Sequence, residues 1–237
     1  MRIEKPIGLA LGGGAVLGAA HVGVLKAIEE MDVRVAFISG TSIGAFVAAF
    51  YAFGKNSDEI STIAAKLDWL DVTQISLSKF GLLSNKKLGE LIENHIGNKN
   101  IEDAEIPLAI VSTDSTTGKK VILDKGPLKE AVMASTSIPG IFKPVEIDNQ
   151  LLVDGGVVEN VPIETVRNLG AEYVIAVDLN ASHQYGTPSN IVDVIVNSFH
   201  FLMKSSTAAQ TQQADLLIEP DLSDFSRSDL DQINALM

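Results

Sequence analysis

A glycine-flanked serine between an apolar strand and an apolar helix constrains the fold of this chain more than any other feature. Residues 33–38 have the composition of a short buried strand, and residues 45–52 have that of a buried helix. Between them, residues 40–44 read Gly-Thr-Ser-Ile-Gly, an order typical of a turn that exposes a serine nucleophile. Such a turn is so tight that its two flanking positions have room for glycine alone. The pattern predicts a nucleophile at Ser42, and the simpler interpretation is a structural glycine and serine turn.

A second glycine-rich turn, residues 12–18, follows an apolar strand at 7–11 and precedes a helix at 19–31. Three interpretations compete. A dinucleotide-binding loop would have glycine in place of Ala15 and an acidic residue about 20 residues later, where the sequence has Ser-Gly. An oxyanion hole needs backbone N–H groups close to a nucleophile, and adjacent parallel strands would bring both turns to one sheet edge. Close packing of helix on strand is the third interpretation. The neighbouring serine turn favours the oxyanion hole.

Strand and helix patterns alternate along the rest of the chain, which predicts an α/β fold with a mostly parallel sheet. We expect residues 1–237 to form one domain whose last element is cut short at the C-terminus. Residues 68–83 are less regular, and they suit either a flap over an apolar pocket or ordinary loop packing. The further predicted strands are 108–112, 119–124, 150–153, 173–177 and 216–218, and the further predicted helices are 57–67, 85–96, 127–134, 161–169 and 191–214.

Composition excludes several classes of function. The formal net charge of −12 argues against nucleic acid, whose binding depends on Lys and Arg, and against strong docking on anionic membranes. The chain has no cysteine, so disulfides, thiolate metal sites and a cysteine nucleophile are excluded. This also fits a reducing compartment, and we expect a cytoplasmic protein.

Two uncharged or nearly uncharged runs, 7–25 and 35–54, approach the length of a membrane span. Clustered Gly, Ser and Thr interrupt both runs, which favours strand–turn–helix units over uniform helices. The N-terminus resembles a signal peptide because cations precede its apolar run. Glu4, Pro6 and three consecutive glycines argue against this interpretation.

A serine nucleophile needs a general base, and its identity is open at this point. No histidine follows a late strand in a glycine-flanked loop, the place expected for a Ser-His-Asp triad. Asp154 follows the strand 150–153 and precedes two glycines, so it is either a turn former or a carboxylate base. A Ser–Asp dyad is chemically feasible if a site of low polarity raises the basicity of the aspartate. The four histidines are His21, His95, His183 and His200.

Four motifs in one order carry a family resemblance that no single motif would carry. The chain resembles the patatin-like phospholipases, in particular their small bacterial members, from Leu9 to about Pro220. The motifs are the glycine-rich turn with the helix start through Leu25, the serine turn, the loop 134–140, and Asp-Gly-Gly at 154–156 followed by Asn-Val-Pro at 160–162.

The resemblance implies a three-layer α/β/α fold with a mostly parallel central sheet. It implies a serine acyl hydrolase that acts through an acyl-enzyme, with no cofactor and no metal. The implied substrate is an acyl ester lipid, with transient contact at the inner membrane face and an oligomeric state that is left open. The implied residues are Ser42 as nucleophile, Asp154 as proton acceptor, backbone N–H groups of Gly13, Gly14 and Ala15 as the oxyanion hole, and Gly40, Gly44 and Gly155 as supports of the motifs.

Two positions depart from the family pattern. Leu17 stands where the family usually has Arg or Lys, and Ala15 stands where it has a fourth glycine. The loss of a cation suggests a neutral acyl substrate. It also motivates an alternative, a catalytically weak or inactive regulator or adaptor that binds an acyl chain or a partner protein. A nucleotide-binding protein is the third hypothesis.

Overall fold

The computed structural model describes residues 5–65, 74–78, 81–182, 187–188, 191–225 and 232–237. Residues 66–73 and 79–80, which include much of the predicted flap, lie outside the described residues, and so does His183. Of the described helices, none has both the length and the hydropathy that a membrane span requires.

An eight-stranded sheet forms the centre of the fold, in the order β10-β9-β1-β2-β5-β8-β7, with β6 paired to β5. The four pairings from β10 to β5 are parallel, and the three that involve β6, β7 and β8 are antiparallel. A separate hairpin consists of β3 and β4. The strands are β1 Ile7–Leu11, β2 Val35–Thr41, β3 Gln74–Ser78, β4 Gly81–Ser84, β5 Leu108–Asp114, β6 Lys120–Leu123, β7 Val145–Ile147, β8 Gln150–Asp154, β9 Tyr173–Val177 and β10 Leu216–Ile218.

Helices cover both faces of this sheet, because its central strands are apolar on both sides. The larger core lies between one face and α1 to α5, and a smaller core lies between the other face and α6. The helices are α1 Ala20–Glu30, α2 Ile43–Ala52, α3 Ser57–Ala64, α4 Lys86–Ile96, α5 Leu128–Ser135, α6 Ile163–Asn168, α7 Ile191–Thr211 and α8 Ile233–Leu236, with short 3-10 helices at Ala15–Ala19, Ile101–Asp103 and Gly155–Val157.

This arrangement confirms the predicted α/β fold with a mostly parallel sheet and helices in two outer layers. Several bounds differ from the prediction. β2 starts two residues later and continues to Thr41, and α7 ends at Thr211. The edge strand β7 was not predicted, because its three residues are too few to show a period.

The register of the sheet sets the position of the candidate site. Thr41, the last residue of β2, pairs with Val111 of β5, and the next residue of β5, Ser112, pairs with Asp154 of β8. Because β8 ends at Asp154, its carboxyl end lies level with the carboxyl end of β2, although the two strands run in opposite directions. The turn after β2 and the turn after β8 therefore meet at one edge of the sheet.

Candidate active site

Ser42 lies in the strained turn that its sequence context predicts. Its backbone has φ 55° and ψ −127°, and it is the N-cap residue of α2. A side chain at Gly40 would lie 2.5 Å from the backbone of Ala45, and one at Gly44 would overlap the carbonyl oxygen of Leu11. Glycine is therefore required at both positions. The positive φ of Ser42 is uncommon for a non-glycine residue, and such strained residues occur mainly at functional sites.

The hydroxyl of Ser42 meets the carboxylate of Asp154. Ser42 Oγ donates a hydrogen bond to Asp154 Oδ2 at 2.6 Å, although the two residues lie 112 positions apart in sequence. A distance this short is typical of a hydroxyl that donates to an ionised carboxylate. The structure thus brings together the two residues that the family resemblance pairs.

Asp154 is almost fully buried, with 1% of its surface exposed. Burial raises the pKa of its carboxyl to about 7, while hydrogen bonds from Ser42 and from the backbone N–H of Gly156 oppose that rise. The Gly156 N–H donates to Oδ1 at 2.8 Å, which leaves Oδ2 facing the serine. A carboxylate with this pKa is a much better proton acceptor than an exposed aspartate.

The end of α5 and the loop after it hold both members of the Ser42–Asp154 pair. The backbone N–H of Ser42 donates to Ser135 Oγ at 2.8 Å, and that hydroxyl in turn donates to the carbonyl of Val111 at 2.6 Å. The backbone N–H of Asp154 donates to the carbonyl of Ser137 at 2.8 Å. Ser135 is fully buried, so its two bonds fix the serine turn to the middle of β5.

The glycine-rich turn faces the serine. A methyl group placed on Gly13 would lie 3.2 Å from Ser42 Cβ. The N–H of Gly13 donates to the carbonyl of Asn160 at 3.2 Å, so this N–H is already engaged. The N–H groups of Gly14 and Ala15 have no hydrogen-bond acceptor among the described residues. Of the three expected oxyanion donors, these two are the ones that remain available to a ligand.

The two positions that depart from the family pattern have different environments. Ala15 has φ 52°, a left-handed conformation in which glycine is less strained than alanine. Leu17 is fully buried and belongs to the larger core. Its side chain therefore contributes to packing beneath the turn.

Two side chains donate hydrogen bonds to backbone carbonyls of the glycine-rich turn. Asn180 Nδ2 donates to the carbonyl of Gly13 at 2.8 Å, and His21 Nε2 donates to the carbonyl of Gly12 at 2.8 Å. His21 is fully buried, and burial lowers its pKa to about 4, with the bond to Gly12 opposing that change. His21 is thus a neutral support of the turn near pH 7.

The other described histidines do not replace Asp154 as the partner of Ser42. His95 packs edge-on against the ring of Phe50, with ring centroids 6.2 Å apart. His200 is buried on α7.

Asn160 is a fully buried residue at the junction of the two glycine motifs. A methyl group on Gly13 would lie 2.8 Å from its Oδ1, and a methyl group on Gly156 would lie 3.5 Å from the same oxygen. Its side-chain amide has no hydrogen-bond partner among the described residues. The amide therefore fills the space between the oxyanion turn and the turn that carries Asp154.

Sequence reasoning from single residues gave no role to Ser135, Asn160 or Asn180. The first two belong to motifs that carry the family resemblance, so their presence there was the available signal. Asn180 lies in a polar stretch after β9 with no local pattern. Its role follows from a contact across 167 positions.

Comparison with known proteins shows which sequences this chain is similar to. The family model for patatin-like phospholipase matches residues 9–167. An uncharacterised NTE family protein of Mycobacterium tuberculosis is 36% identical over 179 residues, which are 74% of this chain and 49% of that protein. The neuropathy target esterase sws of Drosophila melanogaster is 36% identical over 186 residues, covering 74% of this chain and 13% of that protein. The chain thus spans about half the length of the mycobacterial relative.

A solved structure supports the fold. The type III effector protein ExoU superposes with a TM-score of 0.54 at 16% identity, covering 98% of this chain and 50% of that one.

Proposed function

Because the chain belongs to the patatin-like phospholipase family, we propose that it is a serine acyl hydrolase that cleaves lipid esters with a Ser42–Asp154 dyad. The observation that carries the proposal is the 2.6 Å hydrogen bond from Ser42 Oγ to Asp154 Oδ2, within a turn of the type that exposes a nucleophile. The intact dyad favours an enzyme over the alternative of an inactive adaptor.

The first half of the reaction acylates the serine. Ser42 Oγ attacks the ester carbonyl carbon while its proton passes to Asp154 Oδ2, and the carbonyl oxygen becomes an oxyanion. Collapse of this tetrahedral intermediate breaks the bond between the carbonyl carbon and the alcohol oxygen. The protonated Asp154 then gives its proton to the departing alcohol, which leaves an acyl-Ser42 ester and an ionised carboxylate.

The second half repeats these steps with water. Asp154 accepts a proton from a water molecule as the water oxygen attacks the acyl carbonyl. A second tetrahedral intermediate forms, and its collapse returns the proton to Ser42 Oγ. The products are a free fatty acid and the original enzyme, so protons balance over the cycle.

Backbone N–H groups of the glycine-rich turn would stabilise both intermediates. We assign this role to Gly14 and Ala15, whose N–H groups point to no described acceptor, while Gly13 anchors the turn to Asn160. The N-terminus of α2 at Ser42 adds a positive field beside the same oxygen. Loss of one oxyanion donor typically lowers kcat by about 10²–10³-fold. The contribution of the turn to kcat is therefore expected to approach that of the dyad.

The raised pKa of Asp154 explains how a carboxylate replaces the usual histidine. An exposed aspartate is a weak base at neutral pH, whereas burial raises the pKa of this one to about 7. Its basicity is then close to that of a histidine. The proposed substrate class, a lipid acyl ester, is supported by the family and by the esterase relative in Drosophila.

Hydrolysis of a short soluble p-nitrophenyl ester tests the proposal. The wild type is expected to turn over, and Ser42→Ala and Asp154→Asn are expected to lower kcat by about 10³-fold or more. Ser115→Ala serves as a control because that serine is exposed just after the end of β5, where it donates to the carbonyl of Leu151. Equal rates from all four proteins would contradict the dyad. A folded wild type without turnover would favour the adaptor.

A further inference from the structure

The segment that follows β9 contacts the glycine-rich turn through a buried amide. Asn180 is 3% exposed and lies shortly after Val177, the last residue of β9. Its Nδ2 donates to the carbonyl of Gly13 at 2.8 Å. The backbone N–H of Gly12 donates to the carbonyl of Val177 at 3.1 Å, so this segment and the turn lie side by side at the carboxyl end of the sheet. Asn180 therefore binds a carbonyl of the turn from the side of β9.

The carboxylate of Asp178 fixes the orientation of the Asn180 amide. Asp178 Oδ1 accepts a hydrogen bond from the backbone N–H of Asn180 at 2.9 Å and a second from its Nδ2 at 3.3 Å. Both partners of Nδ2, the Gly13 carbonyl and the Asp178 carboxylate, are acceptors. A rotated amide would place its own oxygen against these two oxygens. Asp178 is buried, so the donor is presented to Gly13 in one orientation.

The bond to the Gly13 carbonyl also sets the direction of the next N–H group. The peptide between Gly13 and Gly14 is trans, and the C=O and N–H groups of a planar trans peptide point in opposite directions. The Gly14 N–H therefore points away from Asn180, and it has no acceptor among the described residues. Because glycine on both sides provides no side chain to resist rotation of this peptide, a hydrogen bond is needed to hold it in one orientation.

We propose that Asn180 is a positioning residue that directs the Gly14 N–H into the oxyanion hole. The proposal rests on the proposed function, in which Gly14 is one of the two oxyanion donors. Leu179 constrains the same peptide by packing, since a methyl group placed on Gly14 would lie 2.8 Å from Leu179 Cδ1. Without the bond from Asn180, the peptide rotates and its N–H group turns away from the oxyanion.

Paired oxygen and thiono esters separate this role from a general effect on packing. A thiocarbonyl sulfur accepts hydrogen bonds more weakly than a carbonyl oxygen, so an oxyanion donor accelerates the oxygen ester more. Asn180→Leu keeps the volume and removes the donor. We expect it to lower kcat for a soluble oxygen ester about 10- to 100-fold with little change in KM, and to lower kcat for the matching thiono ester less than about threefold.

Ser39→Ala is the matched control. Ser39 is fully buried, and it donates to the carbonyl of Pro162 at 2.7 Å, a bond that does not involve the glycine-rich turn. This variant is expected to keep the wild-type ratio of the two ester rates. Should Asn180→Leu fail to fold by circular dichroism, Asn180→Ser tests the same bond, because its hydroxyl is too short to reach Gly13.

The direction of the Gly14 N–H can also be measured without turnover, by NMR of the Ser42→Ala protein. Asn180→Leu is expected to change the N–H residual dipolar coupling of Gly14 and to leave that of Leu9, in β1, unchanged. An unchanged Gly14 coupling, or equal losses of kcat for the two esters, would overturn the proposal. A wild type that turns over neither ester would instead contradict the proposed function, and the Gly14 coupling would still test the role of Asn180.

Discussion

The hydroxyl of Ser42 and the carboxylate of Asp154 lie 2.6 Å apart because two strand pairings align in register. Thr41 is paired with Val111, and Ser112 is paired with Asp154, so both turns end at the same level of the sheet. A slip of one residue would turn the Asp154 side chain to the opposite face. The geometry of the proposed dyad is thus set by the pairing of β2, β5 and β8.

The first prediction concerns the pH dependence of turnover. Asp154 must be ionised to accept the proton of Ser42, and burial raises its pKa to about 7. We expect kcat/KM for a soluble ester to be constant above about pH 8 and to fall tenfold per pH unit well below 7. His21 has a pKa of about 4 and does not titrate in this range. A fall in kcat/KM that begins only near pH 4 would contradict the assignment of Asp154 as the proton acceptor.

The second prediction is that Asp154→Asn stabilises the fold at alkaline pH. The folded-state pKa of about 7 lies above the ordinary value of 3.8, so the folded protein retains a proton that the unfolded chain has lost. The stabilisation from that proton is complete below pH 3.8 and is lost as pH rises through 7. Above pH 7 the buried charge costs free energy that asparagine avoids. We expect a gain on the order of 2 kcal/mol in the free energy of unfolding.

Urea denaturation at pH 8 and at pH 4 measures this difference. The gain of the Asp154→Asn variant is expected to be present at pH 8 and nearly absent at pH 4. A variant that is less stable than the wild type at pH 8 would show that burial does not disfavour the carboxylate.

The third prediction concerns Ser135 as a positioning residue. Ser135→Ala removes the acceptor of the Ser42 N–H and the donor to Val111, both of them in a buried site. We expect a loss of about 1–3 kcal/mol in the free energy of unfolding. As the serine turn relaxes, kcat is expected to fall about 10- to 100-fold with little change in KM. Wild-type kcat in this variant would contradict a positioning role for Ser135. Ser115→Ala is the control, because Ser115 is an exposed serine just after the end of β5.

The glycine turns and the apolar strands of this chain could be predicted from sequence because each depends on local sterics. Gly40 and Gly44 are required by backbone that lies within a few residues or on the adjacent strand. β1, β9 and β10 have the predicted bounds, since each is a short apolar run with clear ends.

The supports of the site could not be predicted in the same way. Asn180 reaches Gly13 across 167 positions, and Ser135 reaches Ser42 across 93, so neither contact leaves a periodic pattern. The antiparallel pairing of β8 with β5 and β7 was not predicted, because pairing direction depends on how the chain returns to the sheet. The Ser42–Asp154 dyad was predicted from the order of four family motifs, because the local sequence around Asp154 left its role open.

The fourth prediction concerns the strained alanine of the glycine-rich turn. Ala15 has φ 52°, which costs an L-residue roughly 1–2 kcal/mol relative to glycine. Ala15→Gly is expected to keep or raise kcat, since it relieves this strain without removing an N–H donor. A β-branched residue tolerates the conformation poorly, so Ala15→Val is expected to lower kcat about tenfold or more. Steady-state kinetics on a soluble ester measure both, and wild-type kcat in Ala15→Val would contradict the importance of the turn.

The most direct test of the Ser42–Asp154 dyad is the rate and position of labelling by a fluorophosphonate, read by mass spectrometry of the digested protein. The wild type is expected to take up one equivalent on the peptide that contains Ser42. Asp154→Asn is expected to react at least 100-fold more slowly, because the hydroxyl loses its proton acceptor. Labelling of another serine, or equal rates for the two proteins, would contradict the account.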